Sequence, residues 1–293
     1  MRVAVTGATG LIGRRLARAL TERGDTVVAI SRDPAGAGAS LGIEAIGVGS
    51  ALDGFDAVVN LAGEPVAQRW TTAAKERIRS SRVDGTSRLV ELLRAASPRP
   101  GVLVSASAAG YYGDRGDLVL DESAAPGEDF LASVTRDWEA AASAASELDV
   151  RVLCMRTGVV LAREGGALAK MLPPFRAGIG GPIAGGRQWM PWIALDDAIG
   201  LFLAAIDGPE WSGPVNGCAP NVVTNGVFTK ELGSALRRPA VVPVPGFALR
   251  ALFGEMASVV LGSTRMVPAR AVELGYEFKS EMLGQALRAA LGS

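Results

Sequence analysis

The sequence predicts an α/β protein with a doubly wound parallel sheet, and three observations carry that expectation. A glycine-rich turn, Gly7-Ala8-Thr9-Gly10-Leu11-Ile12-Gly13, follows a short apolar strand at once. Over residues 1–160, β-branched runs alternate with longer amphipathic stretches. Beyond Gly158 the chain turns to loops rich in glycine and proline, as expected where insertions cover a sheet.

The first strand is Arg2-Val3-Ala4-Val5, and Leu11–Arg23 carries the helical apolar pattern that follows. Between them, the spacing G-x-x-G-x-x-G permits a tight turn and close backbone approach. A helix N-terminus aimed at such a turn holds a pyrophosphate through its free N–H groups and its dipole. Gly7, Thr9, Gly10, Leu11, Ile12 and Gly13 are therefore candidate phosphate contacts. Further strands are expected at Thr26–Ile30, Glu44–Val48, Ala57–Leu61, Val102–Ser105 and Val150–Arg156, with helices at Thr71–Ala96 and Leu131–Leu148. Such alternation implies parallel pairing, right-handed crossovers and a ligand beyond the carboxyl ends of the strands. Gly178-Ile179-Gly180-Gly181-Pro182, Ala184-Gly185-Gly186 and the stretch from Pro239 to Pro245 read as loops among helical pieces. Residues 1–160 thus read as a Rossmann-type nucleotide-binding domain, and 161–293 as a smaller C-terminal α/β region that covers the substrate and interleaves with the first.

The end of the second strand bears on the choice of nicotinamide cofactor. Folds that select NAD place an acid there to bind the adenosine ribose. Here the chain reads Ala29-Ile30-Ser31-Arg32-Asp33, and Ser31 with Arg32 offers a hydroxyl and a cation suited to a 2′-phosphate. NADP(H) is favoured over NAD(H). The alternative is that Arg32 is a solvated loop cation and Asp33 the ribose ligand, and the length of the strand decides between them. Asn60, Leu61, Ala62 and Gly63 leave another strand with small residues that would let the adenine side of a cofactor lie on backbone. They also suit a plain turn.

Lysine plus arginine and aspartate plus glutamate each number 30, so no net field draws the chain to nucleic acid or an anionic membrane. A small-molecule partner is expected. No run approaches the roughly 20 apolar residues of a membrane span, and strand residues follow Met1 directly, which points to a cytoplasmic protein. Cys154 and Cys218 are too few for a disulfide framework and are expected to be buried and inert. With no histidine, imidazole bases, Ser-His-Asp triads and histidine zinc sites are excluded, and no metal is expected. Proton transfer must use Tyr, Lys, Ser, Asp or Glu.

With these motifs in place, the chain resembles the extended branch of the short-chain dehydrogenase/reductase superfamily, and more closely its atypical epimerases, the NAD-dependent epimerase/dehydratase family proteins related to nucleoside-diphosphate-sugar epimerases. The likeness rests on Asn60-Leu61-Ala62-Gly63-Glu64-Pro65-Val66, Arg69-Trp70, Lys75, Ser81-Arg82, Gly110-Tyr111-Tyr112-Gly113 and Asp137-Trp138-Glu139. It continues through Pro191-Trp192-Ile193, Asp196, Asn216-Gly217-Cys218-Ala219-Pro220 and Val267-Pro268, almost end to end.

That resemblance implies a Tyr-x-x-x-Lys pair in which the lysine cation favours the phenolate and a strand-end serine orients the reacting oxygen. Eight residues before Glu139, however, stands Leu131, and Thr135 takes the place of the lysine. Substitutes are sought at Ser107, Tyr111, Tyr112, Lys75 and Glu64. Each has a plain alternative: a serine capping a loop, tyrosines packed under a lid, a solvated lysine. Ser105, Arg156, Thr157 and Gly158 at strand ends are expected against the cofactor, although Arg156 equally suits a structural ion pair. Arg187, Trp189 and Trp192 would line a substrate-side loop, with core packing the alternative for a tryptophan. Homodimerisation through Thr71–Ala96 and Leu131–Leu148 follows from the resemblance, whereas Leu89, Leu92 and Leu93 are also what burial against the sheet requires. The expected function is an NADP(H)-binding oxidoreductase or epimerase-like protein acting on a carbonyl compound or nucleotide sugar. The alternative is a non-catalytic, NADP(H)-dependent redox sensor or binding module.

Overall fold

A computed structural model describes residues 1–292. Its first half runs β1 (Arg2–Thr6), α1 (Leu11–Glu22), β2 (Thr26–Ser31), α2 (Pro34–Leu41), β3 (Glu44–Gly47), β4 (Ala57–Asn60), α3 (Thr72–Ala95), β5 (Val102–Ala108), β6 (Val119–Leu120), α4 (Phe130–Ser143) and β7 (Arg151–Thr157). Helix α2 is absent from the sequence expectation because its glycines and alanines show no apolar period. It forms because Pro34 fits the first helical turn and Asp33 Oδ1 accepts from the Gly36 N–H at 3.0 Å, a side-chain cap. Helix α4 stops at Ser143, and Ala144–Leu148 continues as a tighter 3₁₀ turn.

The second half contains β8 (Val159–Leu161), α5 (Gly166–Arg176), β9 (Trp189–Met190), β10 (Trp192–Ala194), α6 (Leu195–Asp207), β11 (Gly213–Gly217), β12 (Val223–Thr224), α7 (Asn225–Leu236), α8 (Gly246–Phe253), α9 (Ala257–Leu261), β13 (Arg265–Met266), α10 (Ala269–Glu273) and α11 (Leu283–Leu291). Strand β11 returns to the main sheet and pairs with β7. The central sheet therefore has seven strands in the order β11-β7-β5-β4-β1-β2-β3. Every pairing in it is parallel. Strand order reverses between β1 and β4, which opens the crevice where such sheets bind ligands.

Both faces of the sheet are covered, as parallel strands require. On one face Leu16 and Leu20 of α1 and Phe202 and Ile206 of α6 meet Val3, Val5, Val59 and Val104. On the other, Leu89, Val90 and Leu93 of α3 and Ala142 of α4 cover Ala4, Val58 and Leu103. Each fully buried leucine contributes about 1.5–3 kcal/mol. A separate cluster built on Leu168, Leu172, Trp192, Phe228 and Leu287 holds the second half together. No helix among the described residues is long and apolar enough to cross a membrane.

Candidate functional site

The glycine turn is shaped by backbone contact. Gly7 adopts φ 65°, and a Cβ there would lie 2.7 Å from the carbonyl carbon and oxygen of Leu61. At Gly13 a Cβ would lie 2.3 Å from the Gly7 carbonyl oxygen, so the helix and the turn touch only because both residues lack side chains. Gly10 begins α1 without a side-chain cap, leaving first-turn N–H groups for a ligand. Thr9 and Gly10 are exposed and Leu11 and Ile12 half-buried. Strand β2 ends at Ser31, whose Oγ accepts from the Asp33 N–H at 3.1 Å. The Asp33 carboxylate caps α2, and Arg32 stands exposed between them. Strand length thus puts Ser31 where an NAD-selective acid would stand.

Parallel register builds two polar rows at the carboxyl edge of the sheet. In the inner row, Thr6, Asn60 and Ser105 lie side by side on β1, β4 and β5. Asn60 Oδ1 accepts from Thr6 Oγ1 at 2.8 Å, while Asn60 Nδ2 donates to Thr86 Oγ1 at 2.8 Å and Ser105 Oγ at 3.3 Å. Trp138 Nε1 also donates to Thr86 Oγ1, at 2.9 Å. Thr6 Oγ1 in turn accepts from the backbone N–H groups of Leu61 and Ala62 at 3.0 and 3.2 Å. The side chains of Asn60 and Ser105, expected against the cofactor, are buried and spent on one another and on Thr6 and Thr86. Through Thr6 this network fixes the loop at Leu61 and Ala62.

Two residues further along, Ser107, Arg156 and Asn216 align on β5, β7 and β11. Arg156 makes a bidentate pair with Glu139 of α4, Nε to Oε1 and Nη2 to Oε2 both at 2.9 Å. Ser107 Oγ donates to Glu139 Oε1 at 2.6 Å. Arg156 Nη1 reaches the Tyr112 hydroxyl at 2.9 Å and the Glu122 carbonyl at 3.2 Å. The Tyr112 hydroxyl also lies 2.7 Å from Asn216 Oδ1 and 2.9 Å from the Asp121 carbonyl, two acceptors for one proton. The Arg156 Cζ lies over the Tyr111 ring, 3.4 Å from its centroid. Among the described residues nothing hydrogen-bonds the Tyr111 hydroxyl, and no buried polar side-chain atom lacks a partner. That hydroxyl is therefore open to solvent.

The comparisons with known proteins agree with this fold. The sequence pattern of the NAD dependent epimerase/dehydratase family matches residues 3–216. The chain belongs to that family. A domain of unknown function, DUF1731, matches residues 244–290. The chloroplastic epimerase family protein SDR39U1 homolog of Arabidopsis thaliana is 45% identical over 303 residues, spanning 99% of this chain and 87% of that one. The crystal structure of human epimerase family protein SDR39U1 (isoform 2) with NADPH superposes with a TM-score of 0.91 at 33% identity, over 100% of this chain and 99% of that one. The nucleoside-diphosphate sugar epimerase of Corynebacterium glutamicum gives a TM-score of 0.80 at 36% identity, over 100% of this chain and 58% of that one.

In this epimerase/dehydratase family member, Leu131 packs against Gly110, where a Cβ would lie 3.3 Å from the Leu131 Cβ. Thr135 is buried and bonds back to the carbonyls of Leu131 and Ala132 at 2.8 and 3.1 Å. Four of the five residues expected to replace the pair prove to be engaged elsewhere. Tyr112 is 0% exposed, and burial pushes its phenol up to about 12, so it exchanges no proton with a ligand. Ser107 is 5% exposed with its proton committed to Glu139. Lys75 pairs with Glu255 at 2.5 Å and so ties α3 to the second half. Hydrogen bonds from Gln68 and Arg77 hold the Glu64 carboxyl below its ordinary value, which makes it a weaker base. Arg156, for which a cofactor contact and a structural ion pair were both expected, is the buried ion-pair partner of Glu139. Tyr111 alone keeps a free hydroxyl.

Thr157 and Gly158 stay half-buried at the end of β7, with Gly158 pressed to the Pro191 carbonyl, 2.8 Å from where its Cβ would stand. Trp192 is a core residue, its Nε1 donating to the Asn221 carbonyl at 3.0 Å. Trp189 is half-buried with Nε1 donating to Asp117 at 2.8 Å, and Arg187 is exposed. Sequence reasoning missed Glu122, whose carboxylate accepts from the Asn216 N–H at 2.8 Å, and used Glu139 only as a landmark. Buried carboxylates need partners, so Glu139, one and two helical steps of four residues beyond Thr135 and Leu131, was the available signal.

Proposed function

We propose that this chain binds NADP(H) and carries out oxidoreductase or epimerase chemistry on a small carbonyl compound or nucleotide sugar. The end of β2 is the observation that carries this: Ser31 closes the strand, Arg32 follows, and the Asp33 carboxylate is spent on the α2 cap. A hydroxyl and a cation suit a 2′-phosphate, which a free carboxylate would repel. The NADPH in the human relative's crystal structure supports the same choice. The Gly7–Gly13 turn and the open N-terminus of α1 would hold the pyrophosphate, Leu61, Ala62 and Gly63 the adenosine side, and Thr157 and Gly158 the nicotinamide end. When bound, the reduced cofactor supplies a hydride to a carbonyl carbon. The protein's own part is the proton, and Tyr111 is the open phenol at the sheet's carboxyl edge that would give it to the substrate oxygen.

Arg32→Ala is expected to weaken NADPH binding about tenfold or more while changing NADH binding by less than about twofold, the loss of a charge-assisted contact to one phosphate. Nicotinamide fluorescence reads both affinities. Equal losses for the two cofactors, or tighter binding of NADH to the unaltered protein, overturn the choice. Turnover is read as cofactor oxidation against panels of carbonyl compounds and nucleotide sugars. A second reading, a redox sensor without chemistry, draws on Leu131 and Thr135, and it expects no turnover with cofactor bound and unequal affinities for NADP+ and NADPH.

A further inference from the structure

We propose that Arg156, acting through the face of the Tyr111 ring, supplies the positive charge that a Tyr-x-x-x-Lys pair draws from its lysine, so that Tyr111 and Arg156 together deliver the proton. This rests on the reading of Tyr111 as the proton donor. Arg156 is 3% exposed and stacked 3.4 Å from the Tyr111 centroid, closer than the 5.2 Å separating it from the Tyr112 ring. A desolvated guanidinium on a ring face attracts the ring's π electrons, and the attraction grows as negative charge develops on the phenol oxygen. The proton passes from the Tyr111 hydroxyl to the substrate oxygen as the new C–H bond forms, and water returns a proton to Tyr111. Arg156 is thus a positioning residue: it touches neither substrate nor cofactor.

Glu139 makes the idea testable with opposite signs. Its carboxylate offsets part of the Arg156 charge, so Glu139→Gln strengthens the cation beneath the ring, and adding Arg156→Met to Glu139→Gln then removes that cation. Tetranitromethane nitrates tyrosines through the phenolate form and reads this in the cofactor-free protein at one fixed, near-neutral pH, with the modified residue located by peptide mapping. Only three tyrosines are present. Tyr112 is fully buried, and the Tyr276 hydroxyl donates to the Asp197 carbonyl at 3.1 Å, so Tyr111 should react first. Cys154 and Cys218, which the reagent also oxidises, are buried.

Glu139→Gln is expected to speed nitration of Tyr111 severalfold, and the added Arg156→Met change to slow it about tenfold relative to Glu139→Gln, the scale of one nearby charge gained or lost. A structural role alone would move both steps in one direction. Rates that shift together or not at all, or a Tyr111 that resists nitration in the folded protein, overturn the proposal. Should the double variant fail to fold by circular dichroism, Glu139→Gln against the charge-conserving Glu139→Asp decides: a rate raised only by glutamine supports the proposal, and equal rates overturn it. NADPH fluorescence on the same samples judges the cofactor reading separately, since its failure would leave the order of nitration rates intact.

Discussion

Thr6, Asn60 and Ser105 form one row across the carboxyl edge of the sheet, and Ser107, Arg156 and Asn216 form another, two residues further out on β5. The inner row is neutral throughout and closes on itself, each hydroxyl and amide meeting another. Its product is a shape, the loop over which a cofactor would lie. The outer row is charged, and the strong pair within it depends on a side chain from α4 that the sheet itself does not supply. Neutral networks rigidify at modest cost, whereas a buried ion pair offers little net stability and a strong local field. The contrast teaches where structure ends and chemistry begins along one strand: at Ser105 the sheet is framework, and at Ser107 it starts to carry charge.

Breaking the outer row should show the largest effect. Arg156→Met alone leaves Glu139 buried without its cation and is expected to cost about 3–5 kcal/mol in urea denaturation, of which the added Glu139→Gln change should restore a large part. Full additivity of the two losses would mean that the pair is not the organising contact. The inner row should be less sensitive. Asn60→Ala takes away the acceptor of the Thr6 hydroxyl and one donor each from Thr86 and Ser105, an expected loss of about 1–3 kcal/mol with no charge to rescue. A cost as large as that of Arg156→Met would erase the distinction between the rows.

The smallest effect is silent at neutral pH. Burial lifts Tyr112 to about 12, whereas an unfolded phenol titrates near about 10. The folded state then holds its proton more tightly, so this contribution is fully present below the unfolded value and is lost as pH rises through that window. Stability should fall by up to about 1.4 kcal/mol per pH unit there, and Tyr112→Phe should remove that share of the slope. An unchanged slope would place Tyr112 outside the buried row.

Gly7 to Gly13 announced the cradle because steric demands on glycine are local and written in spacing. The end of β2 was half legible: Ser31, Arg32 and Asp33 stood in the sequence as alternatives, and only the folded strand told that Ser31 closes β2 and that the Asp33 carboxylate caps α2. Tyr111 and Tyr112 could not be told apart in the sequence, since a single 3₁₀ turn at Ala109–Tyr111 sends one ring into the core and leaves the other at the surface. Nor was the pairing of Arg156 with Glu139 readable, because the two lie 17 positions apart and meet only when α4 docks on the sheet. Trp192 looked like a ligand-stacking residue and is core, since an indole with one buried acceptor fits either place.

Strand β11 gives the two rows different histories. A fragment ending near Gly158 would contain every member of the inner row, but it would lack Asn216 and with it the amide beside the Tyr112 hydroxyl and the N–H that Glu122 holds. The Arg156–Glu139 pair and Ser107 lie in that fragment too, so β11 adds the neutral end of the outer row. Recombining the two halves as separate polypeptides should place Asn216 beside the Tyr112 hydroxyl only when residues 213–217 pair with β7.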